Sequence, residues 1–332
     1  MAHLKCDGVF EGGGVKGIGF AGAVSELEKA GYEFENVVGT SAGAIAAALV
    51  AAGYTGKEIE TELKSVSFKD FRQKNRLHSL GTFGKIISVY ASYGIYKTDN
   101  FERWLQELLH KKNKRFFEDI KTGYTDKKYK YKFQAIASDL TDGTILVLPS
   151  DLAKFGIDPD KFEIAKAVRM SMSIPLYYEP YRLKDKTGNE HLIVDGGLLS
   201  NYPVWILDNG TSNPPWPTFG FRFIGDDDNH SSAPKVINNF IEYSKHLVST
   251  MIEYGDKYHI SESKGDLQRS ILIPTQIQTK NGIKKIKTTY FDISPEESAL
   301  LAQNGKQAAS QFLKTWDFKN WKMKYRSAKN FI

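Results

Sequence analysis

Gly39-Thr40-Ser41-Ala42-Gly43 separates a short β-branched run, Val37-Val38, from an alanine-rich segment that extends to about Ala52. The run predicts a strand and the segment a helix, so the pentapeptide is a strand-to-helix turn. In a G-x-S-x-G turn the serine Oγ points away from the sheet, and only small residues fit beside it. The helix N-terminus also favours developing negative charge. We therefore predict a nucleophilic Ser41 in an elbow formed by Gly39, Thr40, Ala42 and Gly43; a serine that only caps the helix is the alternative.

The segments around this turn alternate between strand and helix patterns. Leu4 to Phe10 predicts a strand, and residues 18–30 predict a helix that ends at Gly31. Further strands are predicted at Phe133 to Ser138, Thr144 to Leu148, Leu192 to Val194 and Phe219 to Ile224, with a helix from Phe162 to about Met172 and a mostly helical stretch from Lys57 to Leu109. Strands and helices joined by short turns indicate an α/β fold with a mainly parallel sheet.

Gly12-Gly13-Gly14-Val15-Lys16-Gly17 follows the first predicted strand and begins the first predicted helix. A dinucleotide-binding loop has this spacing, but it needs an acidic residue at the end of the next strand. Here that strand ends in the Ser41 turn, and Glu33 and Glu35 come before it. An oxyanion hole, in which bare backbone N–H groups face a tetrahedral intermediate, fits better. We predict that role for Gly12, Gly13, Gly14, Lys16 and Gly17; a plain tight turn is the alternative.

A nucleophilic serine needs a base, and Asp195-Gly196-Gly197 supplies the candidate. Asp195 ends a short predicted strand, and the glycines let the backbone approach another loop closely. None of the seven histidines lies in a comparable turn at the end of a strand. A carboxylate can act as the base if it contacts the serine and is shielded from water. A structural turn at the strand end is the alternative for Asp195.

Composition and charge limit the class of protein. The chain has 332 residues, an ordinary globular composition and a formal charge of +6. Its single cysteine, Cys6, excludes a disulfide framework within one chain and a cysteine-rich zinc site. Neither a secretory signal nor an apolar run of membrane-spanning length is recognisable. We therefore expect a cytoplasmic protein, with peripheral membrane association as an option.

The last part of the chain is basic and aromatic. Residues 280–332 carry eleven Lys or Arg and four Asp or Glu, a formal charge of +7, while the first 279 residues carry −1. Trp316 and Trp321 lie in residues 311–332, where basic residues alternate with aromatics, and this pattern is typical either of a membrane interface or of a helix whose aromatics pack inward. Similarly, the apolar segment Leu80 to Ile95 is either a lipid-facing lid or a buried helix pair.

Taken together, the three motifs resemble those of the patatin-like phospholipase family, which has G-G-G-x-[RK]-G, G-x-S-x-G and D-G-[GA] in this order. The flanking segments are similar as well: Ala137-Ser138-Asp139-Leu140 with Gly143, Ala167 to Pro175, and Val194 to Pro203. The resemblance covers roughly residues 5 to 225. Glu11 and Lys16 stand where many members have Asp and Arg, and Lys16 lacks the planar fork of arginine.

The resemblance implies a three-layer α/β/α sandwich with a mainly parallel central sheet. It implies a lipid acyl hydrolase of the phospholipase A or lysophospholipase type, with a Ser41–Asp195 dyad and an acyl-serine intermediate. The backbone of Gly12 to Gly14 would hold the oxyanion, and Gly196 and Gly197 would shape the base loop. Phospholipid or lysophospholipid is the expected substrate and an anionic membrane surface an optional partner, whereas nucleic acid, a metal and a cofactor are not expected. We expect a catalytic domain at 1–225 and a helical, basic extension at 226–332, packed on that domain or continuous with it.

Other functions remain open at this stage. Some members of the family are effectors that attack membranes only when a ligand or partner activates them, and residues 226–332 could hold a regulatory site. An α/β-hydrolase with a histidine triad is the nearest chemical alternative, because His230, His246 and His259 follow Asp195 as such a triad requires. A lipid-binding protein without activity and a dinucleotide-binding protein are the remaining options. Asp226-Asp227-Asp228 lacks the alternating spacing of a calcium-binding loop and indicates a solvated loop.

Overall fold

The computed structural model describes residues 4–74, 81–208, 211, 213–225, 243, 250 and 265–326. Its strands are β1 (Leu4–Phe10), β2 (Tyr32–Thr40), β3 (Gln73–Lys74), β4 (Gly94–Lys97), β5 (Phe133–Asp139), β6 (Thr144–Leu148), β7 (Leu176–Tyr178), β8 (Tyr181–Lys184), β9 (Glu190–Asp195), β10 (Thr218–Ile224), β11 (Ser270–Pro274), β12 (Gln276–Thr279) and β13 (Gly282–Lys285). Its α-helices are α1 (Ile18–Lys29), α2 (Ala42–Ala51), α3 (Gly56–Ser65), α4 (Gly81–Ser92), α5 (Asp99–Lys111), α6 (Ile164–Ser171), α7 (Pro295–Thr315) and α8 (Phe318–Tyr325).

An eight-stranded sheet organises the described part of the molecule, in the order β11-β10-β1-β2-β5-β9-β8 with β6 also paired to β5. The pairings from β11 to β5 are parallel, while β6, β8 and β9 add antiparallel pairings. The predicted α/β fold with a mainly parallel sheet flanked by helices is confirmed. The mostly helical prediction for residues 57–109 missed β3 and β4, because pairing with each other and with β7 defines these short strands.

Both faces of the sheet are covered, and the carboxyl-terminal parts of β1 and β2, residues 6–10 and 36–40, are therefore buried at every position. On one face the rings of Phe10 and Phe221 stack with centroids 4.4 Å apart, in a cluster that includes apolar residues of α1 and α2. On the other face Val9 and Ile136 pack against the segment 202–207. Neighbouring residues of one strand thus serve opposite layers of the fold.

The C-terminal part contributes to the same layered core. β11 pairs in parallel with β10, and α7 packs along α1. The two helix backbones touch: a Cβ on Gly22 would lie 1.9 Å from the Ala302 carbonyl oxygen, and one on Gly305 would lie 1.9 Å from the Gly19 carbonyl oxygen. Residues after 225 therefore add a strand and a helix to the sandwich, while the division into two domains at that residue stays a prediction.

The aromatic residues near the C-terminus pack inward. The Trp316 ring lies 5.2 Å from the Phe219 ring, centroid to centroid. Trp321 is 6% exposed, and its indole N–H donates a hydrogen bond to the Gly265 carbonyl at 3.1 Å. The interpretation of these two tryptophans as a membrane interface is therefore wrong, because their rings cover the first residues of β10 and the turn before β11.

Gly305→Ala tests the contact between α1 and α7. Alanine has the higher helix propensity, but its Cβ would overlap the Gly19 carbonyl. We expect the free energy of unfolding to fall by about 1–3 kcal/mol, as is typical of overpacking. Gly123→Ala is the matched control, because no atom lies within 4 Å of the added Cβ. Urea denaturation measures both variants, and an unchanged midpoint for Gly305→Ala would contradict the close helix contact.

Candidate active site

Strand β5 brings two strand ends together. β6 pairs with residues 135–139 and so occupies one edge of β5 along this stretch. β2 and β9 therefore share the other edge, where β2 ends opposite Ile136 and β9 ends opposite the next residue, Ala137. Because β2 is parallel to β5 and β9 is antiparallel, the carboxyl ends of the two strands meet. This junction places Ser41, one residue beyond β2, beside Asp195 at the end of β9.

Ser41 occupies a strained turn between β2 and α2. Its φ of +54° and ψ of −122° form a combination that residues with a side chain rarely adopt. The turn is also crowded: a Cβ on Gly39 would lie 2.2 Å from the Gly43 carbonyl oxygen, and one on Gly43 would lie 2.2 Å from the Phe10 carbonyl oxygen. Of the predicted elbow residues, Gly39 and Thr40 end β2, and Ala42 and Gly43 begin α2. Their geometry presents the serine at the first residue before α2.

Ser171, at the end of α6, holds the elbow to the junction. Its Oγ accepts a hydrogen bond from the Ser41 backbone N–H at 2.9 Å and donates one to the Ile136 carbonyl at 2.5 Å. Ser171 is fully buried. It therefore fills the gap between the ends of β2 and β9, where neither strand can satisfy the Ile136 carbonyl.

Asp195 is buried against the serine. Its carboxylate accepts a hydrogen bond from the Ser41 side chain and another from the Gly197 backbone N–H, the latter at 2.8 Å. Burial raises the pKa of Asp195 to about 7, although both hydrogen bonds act in the opposite direction. The glycine after it is required by space, since a Cβ on Gly196 would lie 2.2 Å from the Ile136 carbonyl oxygen. A carboxyl group with a pKa near neutrality can take up and return the serine proton.

The glycine loop lies against the same serine. A Cβ on Gly12 would be 3.4 Å from the Ser41 Cβ. The Gly12 N–H already donates a hydrogen bond to the Asn201 backbone carbonyl at 3.0 Å. The prediction that Gly12 donates its N–H to an oxyanion is therefore corrected, because this N–H is already bonded. The backbone N–H groups of Gly13 and Gly14 remain the candidate donors of the motif.

A segment far along the chain holds the glycine loop from the other side. The Thr288 carbonyl accepts a hydrogen bond from the Val15 N–H at 3.1 Å. Gly14 has a φ of +56°, and a Cβ there would lie 2.1 Å from the same Thr288 oxygen. Gly14 is therefore fixed both by its backbone conformation and by the close approach of the segment after β13.

The charged residues of the loop have structural partners. Glu11 accepts a hydrogen bond from the Phe223 N–H at 2.6 Å, and the Lys16 Nζ lies 5.0 Å from the centre of the Phe223 ring. Gly17 approaches α2, where an added Cβ would lie 3.2 Å from the Ala42 Cβ. Lys16 and Gly17 therefore contact neighbouring elements that support the loop, and the backbone N–H groups of Gly13 and Gly14 remain the candidate oxyanion donors.

The histidine alternative is only partly within the described residues. His191 lies on β9, with its Nδ1 2.7 Å from the Asp139 Oδ2, and His110 lies in the last turn of α5. Five histidines lie outside the described residues: His3, His78, His230, His246 and His259. Asp226-Asp227-Asp228, Leu80 and the side chains of residues 81–86 in the predicted lid also lie outside them.

Asp139, Asp142 and His191 have ligand atoms within 4.8 Å of one another, which is the spacing of a metal site, but Asp139 and His191 already pair with each other. Within the described ranges, no helix has both the length and the apolar character that crossing a bilayer requires.

Sequence reasoning missed three residues that shape the site: Ser171, Asn201 and Thr288. The first two lie in segments that the family resemblance already included, so a serine before Ser173-Ile174-Pro175 and an asparagine before Pro203 were available signals. Thr288 carries no such signal, because its role depends on a carbonyl oxygen that any residue could supply.

Comparisons with known proteins agree with this architecture. The family model described as patatin-like phospholipase matches residues 8–208. The protein YqhO of Bacillus subtilis (strain 168) is 38% identical over 315 residues, which are 95% of this chain and 100% of YqhO. The probable lipid hydrolase 463L of Invertebrate iridescent virus 6 is 24% identical over 198 residues, 60% of this chain and 61% of that protein.

Among solved structures, VipD from Legionella pneumophila is similar with a TM-score of 0.52 at 17% identity, over 94% of this chain and 67% of VipD. At this identity the likeness concerns the fold alone. The family match spans the glycine loop, the serine elbow and the Asp195 turn, which the structure brings together at one edge of the sheet. The chain therefore belongs to the patatin-like phospholipase family, and at the level of that family it is a lipid hydrolase.

Proposed function

We propose that this chain hydrolyses fatty-acyl esters of phospholipids or lysophospholipids through a Ser41–Asp195 dyad. The observation that carries the proposal is the contact of the Ser41 side chain with a buried carboxyl group whose pKa burial raises to about 7. A carboxylate with that pKa is a stronger base than an ordinary aspartate, and about half of the molecules hold it in the ionised form near pH 7. The family match and the relative named as a probable lipid hydrolase support an ester of a lipid as the substrate.

Acylation begins when the Ser41 Oγ attacks the ester carbonyl and its proton passes to the Asp195 carboxylate. The negative charge that develops on the carbonyl oxygen faces the N–H groups of Gly13 and Gly14 and the N-terminus of α2. Collapse of the tetrahedral intermediate breaks the ester C–O bond, and Asp195 returns the proton to the leaving alcohol. A water molecule then attacks the acyl-serine with Asp195 again as base, which releases the fatty acid and restores Ser41.

Ser41→Ala and Asp195→Asn test the dyad. We expect each variant to lose about 10³-fold or more of the wild-type rate, because nucleophile and base act as one unit. The measurement is fatty-acid release from vesicles of phosphatidylcholine and lysophosphatidylcholine without added metal. Ser25→Ala, a substitution of another buried serine on α1, is the control and should retain the wild-type rate. A folded Asp195→Asn variant with full activity would overturn the assignment of the base, and labelling of Ser41 by a fluorophosphonate would show whether the serine is reactive.

The pH dependence tests the state of Asp195. Because the base must be ionised, kcat/KM should rise about tenfold per pH unit below pH 7 and level off above it. A histidine base would give a similar midpoint, but imidazole ionisation has a large enthalpy and carboxyl ionisation almost none. We therefore expect the midpoint to stay fixed between 10 and 35 °C, and a midpoint that falls on warming would favour histidine.

The ionisation of Asp195 should also make the free energy of unfolding depend on pH, and this free energy should fall over the range in which kcat/KM rises. The pKa of Asp195 is about 7 in the folded chain and 3.8 as the ordinary value, so the folded state binds the proton more tightly. Wild-type stability should therefore fall as pH rises from about 4 to about 7, by at most ~4 kcal/mol. Asp195→Asn should lack this part of the slope and be more stable than wild type at pH 8. Urea denaturation of both proteins at pH 5 and pH 8 measures the difference.

Ser171→Ala tests the support of the elbow. The substitution leaves the Ser41 N–H and the buried Ile136 carbonyl without a partner, so we expect kcat to fall at least tenfold with little change in KM. Ser171→Thr retains the hydroxyl and should recover part of the rate. Ser173→Ala is the control, since that hydroxyl lies just beyond α6 and donates to the Arg169 carbonyl in the last turn of that helix. A Ser171→Ala enzyme with wild-type kcat would show that the elbow does not depend on this bridge.

A further inference from the structure

A lysine-rich hairpin stands at the edge of the sheet that carries the active site. We define the lysine hairpin as residues 276–287, which contain β12, β13 and the two turn residues between them. β11 is connected to the β1–β2 pair through parallel pairings, so it ends at the same edge as β2 and Ser41. The hairpin follows β11 after a single residue, Thr275, whose carbonyl accepts a hydrogen bond from the Ile286 N–H at 3.0 Å.

The end of the hairpin leads directly back to the catalytic loop. Thr288, the next residue after it, accepts the Val15 N–H hydrogen bond and touches Gly14. Three residues further on, Phe291 stacks on Tyr177 of β7 with ring centroids 5.4 Å apart. The hairpin therefore rises from the rim of the site, between the glycine loop and the small sheet of β3, β4 and β7.

The hairpin is firmly attached along one side. Ile277 is 1% exposed, and the Asn304 side chain of α7 donates to the Gln276 carbonyl at 2.7 Å. The Lys284 Nζ is bound by the Glu297 carboxylate at 2.5 Å. These contacts hold the base of the hairpin on α7, so the tip is presented in a fixed direction.

The other side of the hairpin exposes an apolar residue among lysines. Ile283 is 72% exposed, opposite the exposed Gln278. The sequence from 276 to 290 contains four lysines and no acidic residue, and Lys280 and Lys287 both lie in solvent. An exposed apolar side chain on a hairpin that also exposes two lysines is complementary to an anionic lipid surface, where the apolar group enters the interface and the cations meet phosphates.

We propose that the lysine hairpin docks the active-site edge of the protein on an anionic lipid surface, with Ile283 inserted between the headgroups. The inference rests on the proposed function, because docking at this edge would present Ser41 to the esters of the same surface. Lys280 and Lys287 contact lipid phosphates, while Lys284 stays with Glu297 and keeps the hairpin on α7. The interaction is electrostatic in part and therefore weakens as ionic strength rises.

A second patch with the same chemistry provides a matched control. Met323 on α8 is 60% exposed, with Lys319, Lys322 and Lys324 nearby in the sequence. Trp321 of the same helix lines a cavity with Thr218, the first residue of β10, so α8 lies at the opposite edge of the sheet from Ser41. Docking through Met323 would therefore turn the site away from the lipid.

The experiment compares Ile283→Asp, the double variant Lys280→Glu/Lys287→Glu and Met323→Asp in the full chain. Each is sedimented with phosphatidylcholine vesicles that contain or lack phosphatidylserine, after circular dichroism and melting confirm folding. We expect wild type to prefer the anionic vesicles and both hairpin variants to lose about tenfold or more in partitioning. Met323→Asp should remain within about twofold of wild type. If Ile283→Asp fails to fold, the double variant at exposed positions carries the test.

The outcomes separate docking from catalysis. On a soluble short-chain ester, all three variants should hydrolyse at the wild-type rate, because none of these side chains lies in the dyad or the glycine loop. A wild type that binds anionic vesicles but cleaves no ester would overturn the proposed function and leave the docking surface standing. Absence of wild-type binding, equal binding to neutral vesicles, or an equal loss in Met323→Asp would overturn the hairpin as the docking surface; retention on a protein partner instead of vesicles would do the same.

Discussion

The carbonyl oxygen of Ile136 marks the point on β5 where one neighbouring strand ends and another begins. β2 approaches it from one direction and β9 from the other, and neither can continue without colliding. A regular parallel sheet would have placed a single strand along this edge. Here the carboxyl ends of β2 and β9 point at each other, and the Ser171 hydroxyl donates a hydrogen bond to the Ile136 carbonyl between them. The distance between Ser41 and Asp195, the proposed nucleophile and base, is therefore set by strand pairing, which is among the stiffest parts of a protein.

This arrangement contains features that lower the stability of the folded chain, and packing in the surrounding core has to offset them. Ser41 is held at a positive φ, and the Asp195 carboxyl is buried with few hydrogen bonds. Each of these features destabilises the folded chain, and backbone strain and a raised carboxyl pKa are typical of functional sites. The close packing of α2, α1 and α7 over the same face supplies compensating burial. The candidate site therefore combines rigid strand pairing at β5 with a strained backbone conformation at Ser41.

The sequence predicted the local features of the candidate site. Gly39 and Gly43 were identifiable because a tight elbow tolerates only small residues, and Asp195 because glycines follow it at the end of a strand. The fold class followed from the same alternation of strands and helices. Asn201 lies in a segment that resembles the family, but no local pattern predicts that its carbonyl accepts the Gly12 N–H, since the two residues are 189 positions apart. The direction in which Trp321 points also depended on where α8 lies, because the spacing of aromatic residues fits a membrane interface and a packed helix equally well.

The bond between Val15 and Thr288 joins an early part of the chain to a late one. On a translating ribosome, the glycine loop and the serine elbow emerge long before the segment that holds the loop in place. Gly14 acquires its final neighbour only when most of the chain has been made. A growing chain that has just passed Asp195 therefore contains both residues of the proposed dyad, but it must be extended as far as Thr288 before the glycine loop gains this contact.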